Sequence, residues 1–289
     1  MSSIWVDLMG AEVRYYRGRY KTRVIEAGSG EPLVLIHGVG GHAEAYSRNI
    51  MRLSQHYRVL AIDLLWHGYS QRDGFVAGQQ MELFSDQVVD LLDQIGADRG
   101  HVEGESLGGW VGLTMAMNHP DRLGKLILNT TIGVAFKETA PREDRAGGRS
   151  LLASRSMAAI EDPTRETIRQ RLEWLMASPD RVTDELVETR LKIYTDSEAK
   201  ESLGRVFANS FGQGKSSRRF AEEELSKITA PTMVLWSEKN PGTGPDVGRY
   251  LATLIPGAQC YVMQDAAHWP QWEHPEEHDK VVLDFLKGS

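Results

Sequence analysis

A serine flanked by glycines stands between a β-prone stretch and a helix-forming one, and this junction constrains the fold more than any other feature. Gly104-Glu105-Ser106-Leu107-Gly108 follows His101-Val102-Glu103. It precedes Gly109-Trp110-Val111-Gly112-Leu113-Thr114-Met115-Ala116-Met117, which reads as a helix ending before Pro120. A G-x-S-x-G at a strand–turn–helix junction is a nucleophile elbow. The glycines two positions either side of Ser106 permit a tight turn that no Cβ would tolerate. The helix N-terminus behind the serine offers backbone N–H groups and a positive dipole end to a developing oxyanion. The pentapeptide recurs by chance, and its placement is what carries the signal.

The remaining chain reads as a scaffold for such an elbow. Residues 20–26 alternate weakly and end at Gly28-Ser29-Gly30. Leu33-Val34-Leu35-Ile36 ends at His37-Gly38, and Val59-Leu60-Ala61-Ile62 ends at Asp63. Over 81–95, Leu83/Phe84, Val88, Leu91/Leu92 and Ile95 fall near one helical face. Leu126-Ile127-Leu128, Met233-Val234-Leu235-Trp236 and Tyr261-Val262-Met263 are further apolar runs, and a last helix is predicted over 276–286, after Pro275. Near-continuous apolar strands alternating with helices predict an α/β fold with a mostly parallel sheet flanked by helices.

Residues 132–224 break that rhythm. A polar loop is expected over 137–150. Asp162 then reads as an N-cap with Pro163 at the first helical position; Ile168, Leu172, Leu175 and Met176 share a face, and a second helix starts near Thr183. The predicted organisation is a core of residues 1–131 and 225–289, with residues 132–224 as a helical cap inserted before the last two strands. Such an insertion would cover the carboxyl ends of the strands, where ligands bind.

The 289 residues suit one domain with a modest insertion. With 33 basic against 40 acidic residues and a net charge of −7, nothing resembles a basic patch for nucleic acid or an anionic membrane. No apolar run reaches the length of a membrane span, and the first residues lack the pattern of a signal peptide. A single cysteine, Cys260, excludes an internal disulfide and is expected to be a core thiol. These features predict a soluble cytoplasmic enzyme for a small molecule. No metal or organic cofactor is expected, because the histidines and carboxylates show no ligand spacing.

A serine nucleophile needs a base on a loop that reaches the elbow. Among the nine histidines, His268 in Ala266-Ala267-His268-Trp269-Pro270 follows the final predicted strand, as the serine–acid–histidine order of such folds requires. His37 is expected to brace the turn after its strand, and His101 to be a strand residue. His42, His56, His67, His119, His274 and His278 are expected to be solvated.

This combination resembles the α/β-hydrolase superfamily across nearly the whole chain. His37-Gly38-Val39-Gly40-Gly41 is similar to its oxyanion loop, which implies that the N–H groups of Val39 and Leu107 form the hole. Asp63-Leu64-Leu65-Trp66-His67-Gly68-Tyr69-Ser70 resembles the loop after the next strand, with Trp66 where a glycine is usual. Three details resemble the meta-cleavage-product hydrolases, which cleave a carbon–carbon bond in ring-opened dienoates from aromatic catabolism. His268-Trp269-Pro270-Gln271-Trp272-Glu273 is similar to their catalytic-histidine segment, whose tryptophan lines the carboxylate site. Leu172-Glu173-Trp174-Leu175 with Thr183-Asp184-Glu185-Leu186-Val187-Glu188-Thr189-Arg190 resembles their cap, whose arginine binds the substrate carboxylate. Tyr46-Ser47-Arg48-Asn49 resembles the motif with a polar active-site asparagine.

Arg190 also stands out by position. It shares a helical face with Leu186 and Ile193, so its guanidinium must snorkel out to water or find an anion, either an internal salt-bridge partner or a substrate carboxylate. Trp269 can equally serve to shield the histidine from solvent. Two departures from the family pattern are visible. Glu105 replaces the asparagine common before the nucleophile, and Asn240 in Leu235-Trp236-Ser237-Glu238-Lys239-Asn240-Pro241 occupies the place of the triad aspartate. Glu238 and Asp246 are the alternative acids, and Asp265 is expected to be structural.

The resemblance implies a serine hydrolase acting on a 2-hydroxy-6-oxo-hexa-2,4-dienoate type of substrate, a small-molecule carboxylate; a homodimer is compatible with the sequence. A carboxylesterase or lactonase using the same serine is a second reading. A binding protein of the same fold that has lost its acid is a third.

Overall fold

The computed structural model describes residues 3–141, 148–211 and 218–288. Its centre is an eight-stranded sheet built from β1 (Glu12–Arg17), β2 (Lys21–Ala27), β3 (Pro32–Ile36), β4 (Arg58–Ile62), β5 (Gly100–Glu105), β6 (Leu123–Asn129), β9 (Thr232–Ser237) and β10 (Gln259–Met263). A separate two-stranded ladder joins β7 (Val134–Ala135) to β8 (Phe220–Ala221). The large sheet has the order β1-β2-β4-β3-β5-β6-β9-β10. β1 and β2 pair antiparallel, as do β2 and β4, and every later pairing is parallel.

The inner strands are buried on both faces, which is why they read as unbroken apolar runs: Leu33, Val34, Leu35 and Ile36 are fully covered, as are Val59, Leu60, Ala61 and Ile62. Covering them are α1 (Ile4–Asp7), α2 (Ser47–Leu53), α3 (Gln80–Gln94), α4 (Leu107–Asn118), α9 (Pro245–Leu254), α10 (Pro270–Glu273) and α11 (Pro275–Lys287). α3 turns Phe84, Val88, Leu91 and Leu92 of the predicted face to the core, with Met81 beside them and Leu83 and Ile95 partly buried.

Between β6 and β9 lie α5 (Gly148–Glu161), α6 (Arg165–Glu173), α7 (Asp184–Tyr194) and α8 (Ser197–Phe211), packed on one another. Hydrogen bonds tie this helical insertion to the sheet domain at several points. Tyr194 Oη donates to Gly40 O at 2.8 Å, Ser202 Oγ to Trp66 O at 3.0 Å, and the His268 N–H to Leu175 O at 2.8 Å. Among the described residues no helix is long and apolar enough to cross a membrane.

Four local expectations need correction. β1 went unseen because its burial is almost uniformly low, so no inside–outside alternation marks it. Asp162 does not cap α6: Thr164 does, accepting from the Thr167 N–H while Thr167 Oγ1 reaches back to the Thr164 N–H. The loop expected over 137–150 gives way to helix at Gly148, and its residues 142–147 lie outside the described ones. Cys260 is exposed, because β10 is the last strand of the sheet and has a neighbour on one side only.

Candidate active site

Parallel strands gather the site. The loops after β3, β5, β9 and β10 carry Val39, Ser106, Asn240 and His268, so residues far apart in sequence meet at one end of the sheet. Ser106 has φ 53° and ψ −109°, a conformation that L residues hold only when the surroundings enforce it. The enforcement is visible. The Ser106 N–H donates to Asn129 O at 2.9 Å, and a Cβ on Gly104 would fall 2.1 Å from the Gly108 carbonyl carbon. The glycines therefore let strand and helix pass at contact distance with the serine at the bend.

Val39 lines the same small cavity as Ser106, and Leu107 opens α4. Neither N–H donates to a backbone carbonyl outside regular helix or strand pairing, so both remain candidates for an oxyanion hole. His37 holds this loop. Burial pulls its pKa down to about 3, so the ring is neutral; Nε2 accepts from the Leu64 N–H at 3.1 Å and Nδ1 donates to Gly38 O at 2.7 Å.

His268 Nδ1 lies 2.7 Å from Asn240 Oδ1. The amide is oriented by its other end, because Nδ2 donates to Thr243 O at 3.0 Å and to Thr243 Oγ1 at 2.8 Å. Asn240 thus stands where a triad acid would orient the imidazole. The two alternative acids are placed elsewhere. Glu238 Oε2 accepts from the Asp265 N–H at 3.0 Å, and exposed Asp246 pairs with Arg249. Asp265 pairs with Arg181 and Lys239 at the surface, a structural role as expected.

Glu105 is the residue whose importance the sequence left open. Its side chain is buried and points inward: Oε2 accepts the Gly38 N–H at 2.6 Å, and Oε1 lies 3.1 Å from His268 Nε2. Among the described residues no hydrogen bond joins Ser106 Oγ to His268, whose Nε2 faces Glu105 Oε1 at 3.1 Å, a contact without hydrogen-bond geometry.

Arg190 is 1% exposed, sits on α7 with buried Leu186 and Ile193, and has no salt-bridge partner among the described residues. Its Nε and Nη2 have no hydrogen-bond partner, and its guanidinium lies 5.2 Å from the centre of the buried Trp269 ring. Burial lowers its pKa, with Tyr194 and Glu105 opposing. The cavity at Ser106, of about 20 Å³, is lined by Gly38, Glu105, Leu175, His268 and Trp269 among others. It also touches Arg171 on α6, a residue the sequence did not single out. That volume holds about one water, so admitting an organic acid requires the pocket to widen.

Asn49 is not brought to this cavity. α2 faces α10 and α11, so Asn49 Nδ2 donates to Gln271 O at 3.0 Å and Asp279 Oδ1 at 2.8 Å. It belongs to a buried network in which His278 bridges Glu103 (Nε2 to Oε1, 2.7 Å) and Asp279 (Nδ1 to Oδ1, 3.0 Å). Burial works against the His278 charge, but the two carboxylates outweigh it and raise its pKa to about 10. His42 and His67 are also buried, contrary to expectation. Their Nδ1 atoms are satisfied within the fold, by Glu44 Oε2 at 2.9 Å and Leu65 O at 2.9 Å.

The family model described as the alpha/beta hydrolase fold matches residues 31–275. A 2-hydroxy-6-oxononadienedioate/2-hydroxy-6-oxononatrienedioate hydrolase from Burkholderia vietnamiensis is 31% identical over 275 residues, covering 91% of this chain and 89% of that one. A 2-hydroxy-6-oxo-6-phenylhexa-2,4-dienoate hydrolase from Burkholderia cepacia is 30% identical, covering 93% and 92%. Among solved structures, a hydrolase of that same name from Rhodococcus sp. strain RHA1 superposes with a TM-score of 0.81 at 21% identity, covering 96% and 99%. Together with the elbow and the histidine at the strand ends, these likenesses make the chain a member of the α/β-hydrolase family, of the meta-cleavage-product hydrolase type.

Proposed function

We propose that the protein hydrolyses a carbon–carbon bond in a 2-hydroxy-6-oxo-hexa-2,4-dienoate type of compound, with Ser106 as nucleophile. The observation that carries this reading beyond ester hydrolysis is Arg190. A buried guanidinium with unpartnered N–H groups, stacked on the tryptophan that follows His268, is a carboxylate receptor beside a hydrolytic serine. The helical insertion, residues 132–224, acts in this proposal as a cap that carries the receptor.

The chemistry follows from the poor leaving ability of a carbanion. The dienol first becomes a ketone by protonation at the carbon that will depart, so that the electrons left by cleavage delocalise into a conjugated enol. Ser106 Oγ then attacks the distal carbonyl and gives its proton to His268, while Val39 and Leu107 donate to the oxyanion. Collapse breaks the carbon–carbon bond, releases a 2-hydroxydienoate and leaves an acyl-enzyme that water hydrolyses. His268 Nε2 must pass from Glu105 to Ser106 for this to begin. The imidazolium then lies between the neutral amide of Asn240 and the carboxylate of Glu105, whose charge supports it.

Assay of dienoates against simple esters, with Arg190→Gln beside the wild type, tests the reading. The variant should lose about 1.5–3 kcal/mol of transition-state stabilisation on dienoates, the scale of a charge-assisted hydrogen bond, and far less on neutral esters. Efficient ester turnover with inert dienoates would favour a carboxylesterase or lactonase instead.

A further inference from the structure

Eight large apolar side chains are exposed among the described residues, and five of them fall within the first fifteen positions: Trp5, Val6, Met9, Val13 and Tyr15. The gathering is spatial as well as sequential. Cross-strand neighbours share a face of the sheet, and β1 registers Val13 with Ile25 and Tyr15 with Arg23. Arg23 donates to Glu44 in the turn at 43–46 that leads into α2, so Val13 and Tyr15 lie on the α2 side of the sheet. α1, which bears Trp5 and Val6, packs on α2. An apolar patch of this kind marks a surface that meets another molecule.

β1 also leaves a backbone edge open. It ends the sheet order, and along it only Tyr16 is even partly covered. The opposite edge strand, β10, is half covered, with Tyr261 Oη donating to Glu277 at 2.8 Å. A strand edge with free N–H and C=O groups is a template for one more strand.

The strand whose sequence complements β1 is a second β1. A sheet that continues across a two-fold axis pairs residues of the same face, so the axis falls between one residue and its own copy. Centred on Val13, the pairing sets Glu12 against Arg14 of the second copy, and Arg14 against its Glu12. The other face is then apolar throughout, with Ala11 against Tyr15 and Val13 against Val13. A centre on Arg14 would set two guanidiniums face to face, and a centre on Tyr15 would set Val13 against Arg17. Opposite charges stabilise such pairs and like charges destabilise them. Within one chain Glu12 stands opposite Glu26, with Arg14 paired to both at 2.6 and 3.8 Å. A second guanidinium beside Glu12 relieves that crowding.

We propose that β1 is a homodimer interface: two copies join edge to edge in antiparallel register about Val13, making one continuous sheet and laying α1 of each against the Tyr15 end of the other's strand. The interface is independent of the reaction proposed above.

Sedimentation equilibrium of the full chain from about 0.1 to 100 μM should show a dimer that dissociates in the micromolar range or below. Arg14→Glu should raise the dissociation constant about 10- to 100-fold, because each Glu–Arg pair recurs by symmetry and becomes a like-charge pair. Val13→Glu sets two carboxylates across the axis and should do the same. The double variant Glu12→Arg/Arg14→Glu restores opposite charges and should return the dissociation constant to within about threefold of wild type. Melting temperatures should stay close to wild type, since these positions are exposed; if Arg14→Glu unfolds, Val13→Glu decides alone. A wild-type chain that stays monomeric overturns the proposal. So does a dimer indifferent to both single variants, whose interface then lies elsewhere. A dimer broken by the single variants and not restored by the charge exchange overturns the register. Monomers that bind phosphatidylcholine–phosphatidylglycerol vesicles, with no dimer in solution, overturn it in favour of a membrane surface.

Discussion

Nε2 of His268 stands 3.1 Å from Oε1 of Glu105, on the opposite side of the ring from the Asn240 amide. In the family pattern asparagine commonly precedes the nucleophile and aspartate takes the acid position. Here carboxylate and amide have traded sides across the imidazole. Asn240 fixes the proton on Nδ1 without a charge, because Thr243 holds its Nδ2 and leaves Oδ1 to accept. Glu105 brings the charge to the other nitrogen, within a site dry enough for it to act strongly.

Glu105→Gln should therefore lower kcat by about 10- to 1000-fold, bounded by the roughly four orders of magnitude that loss of a triad aspartate's charge costs in a serine protease. KM should change little. Asn240→Asp introduced on top should recover a large part of the loss, because it returns a carboxylate to the ring, so the two substitutions are non-additive. A Glu105→Gln variant with wild-type kcat, or strictly additive effects, would show the carboxylate to be a packing group.

Ser106→Ala should reduce dienoate turnover by at least about 10³-fold and abolish labelling by a fluorophosphonate. Its melting temperature should stay close to wild type, since Ala and Ser carry a similar burden at positive φ. Persistent turnover at the wild-type rate would remove Ser106 from the mechanism.

Trp66 occupies a position where glycine is usual and takes φ 62°. It is also fully buried, with ring centres 4.9 Å from Phe75 and 5.3 Å from Phe84, and Nε1 donating to Asp73 O at 2.9 Å. Glycine would relieve about 1–2 kcal/mol of backbone strain and forfeit about 3–5 kcal/mol of packing. Trp66→Gly should accordingly destabilise by about 1–4 kcal/mol in urea unfolding. A stabilised variant would mean that the strain outweighs the packing.

His278 predicts the alkaline limb of stability. Its folded pKa is raised to about 10 by Glu103 and Asp279 against the opposing effect of burial, whereas an unfolded histidine titrates near 6.5. The stabilisation is complete below about pH 6.5 and is lost as pH climbs through about 10, because the folded state then holds the extra proton. Urea unfolding from pH 6 to 10 should show declining stability in the wild type and a flatter profile in His278→Gln. Parallel profiles would place the charge elsewhere.

The elbow and the inner strands were legible because both obey local rules. Gly104 and Gly108 mark a backbone crossing, and doubly buried strands such as Leu33 to Ile36 show as apolar runs. His268 could be chosen by chain order alone. What stayed hidden depends on contacts distant in sequence. Nothing near His278 announces that Glu103 meets it, and nothing near Glu105 says whether its side chain turns toward His268 or to solvent. Asn49 was misplaced for the same reason, since α2 turns it toward Gln271 and Asp279. Arg171 stood outside the apolar stripe traced on its helix, so its burial had no sequence signal.

The phenol of Tyr194 grips the carbonyl of Gly40, and its helix also carries Arg190. One helix therefore anchors both the buried Arg190 guanidinium and, through Gly40, the loop that carries Val39. A shift of α7 must either break the Tyr194–Gly40 hydrogen bond or carry that loop along, so the helix and the turn beside Ser106 are mechanically coupled.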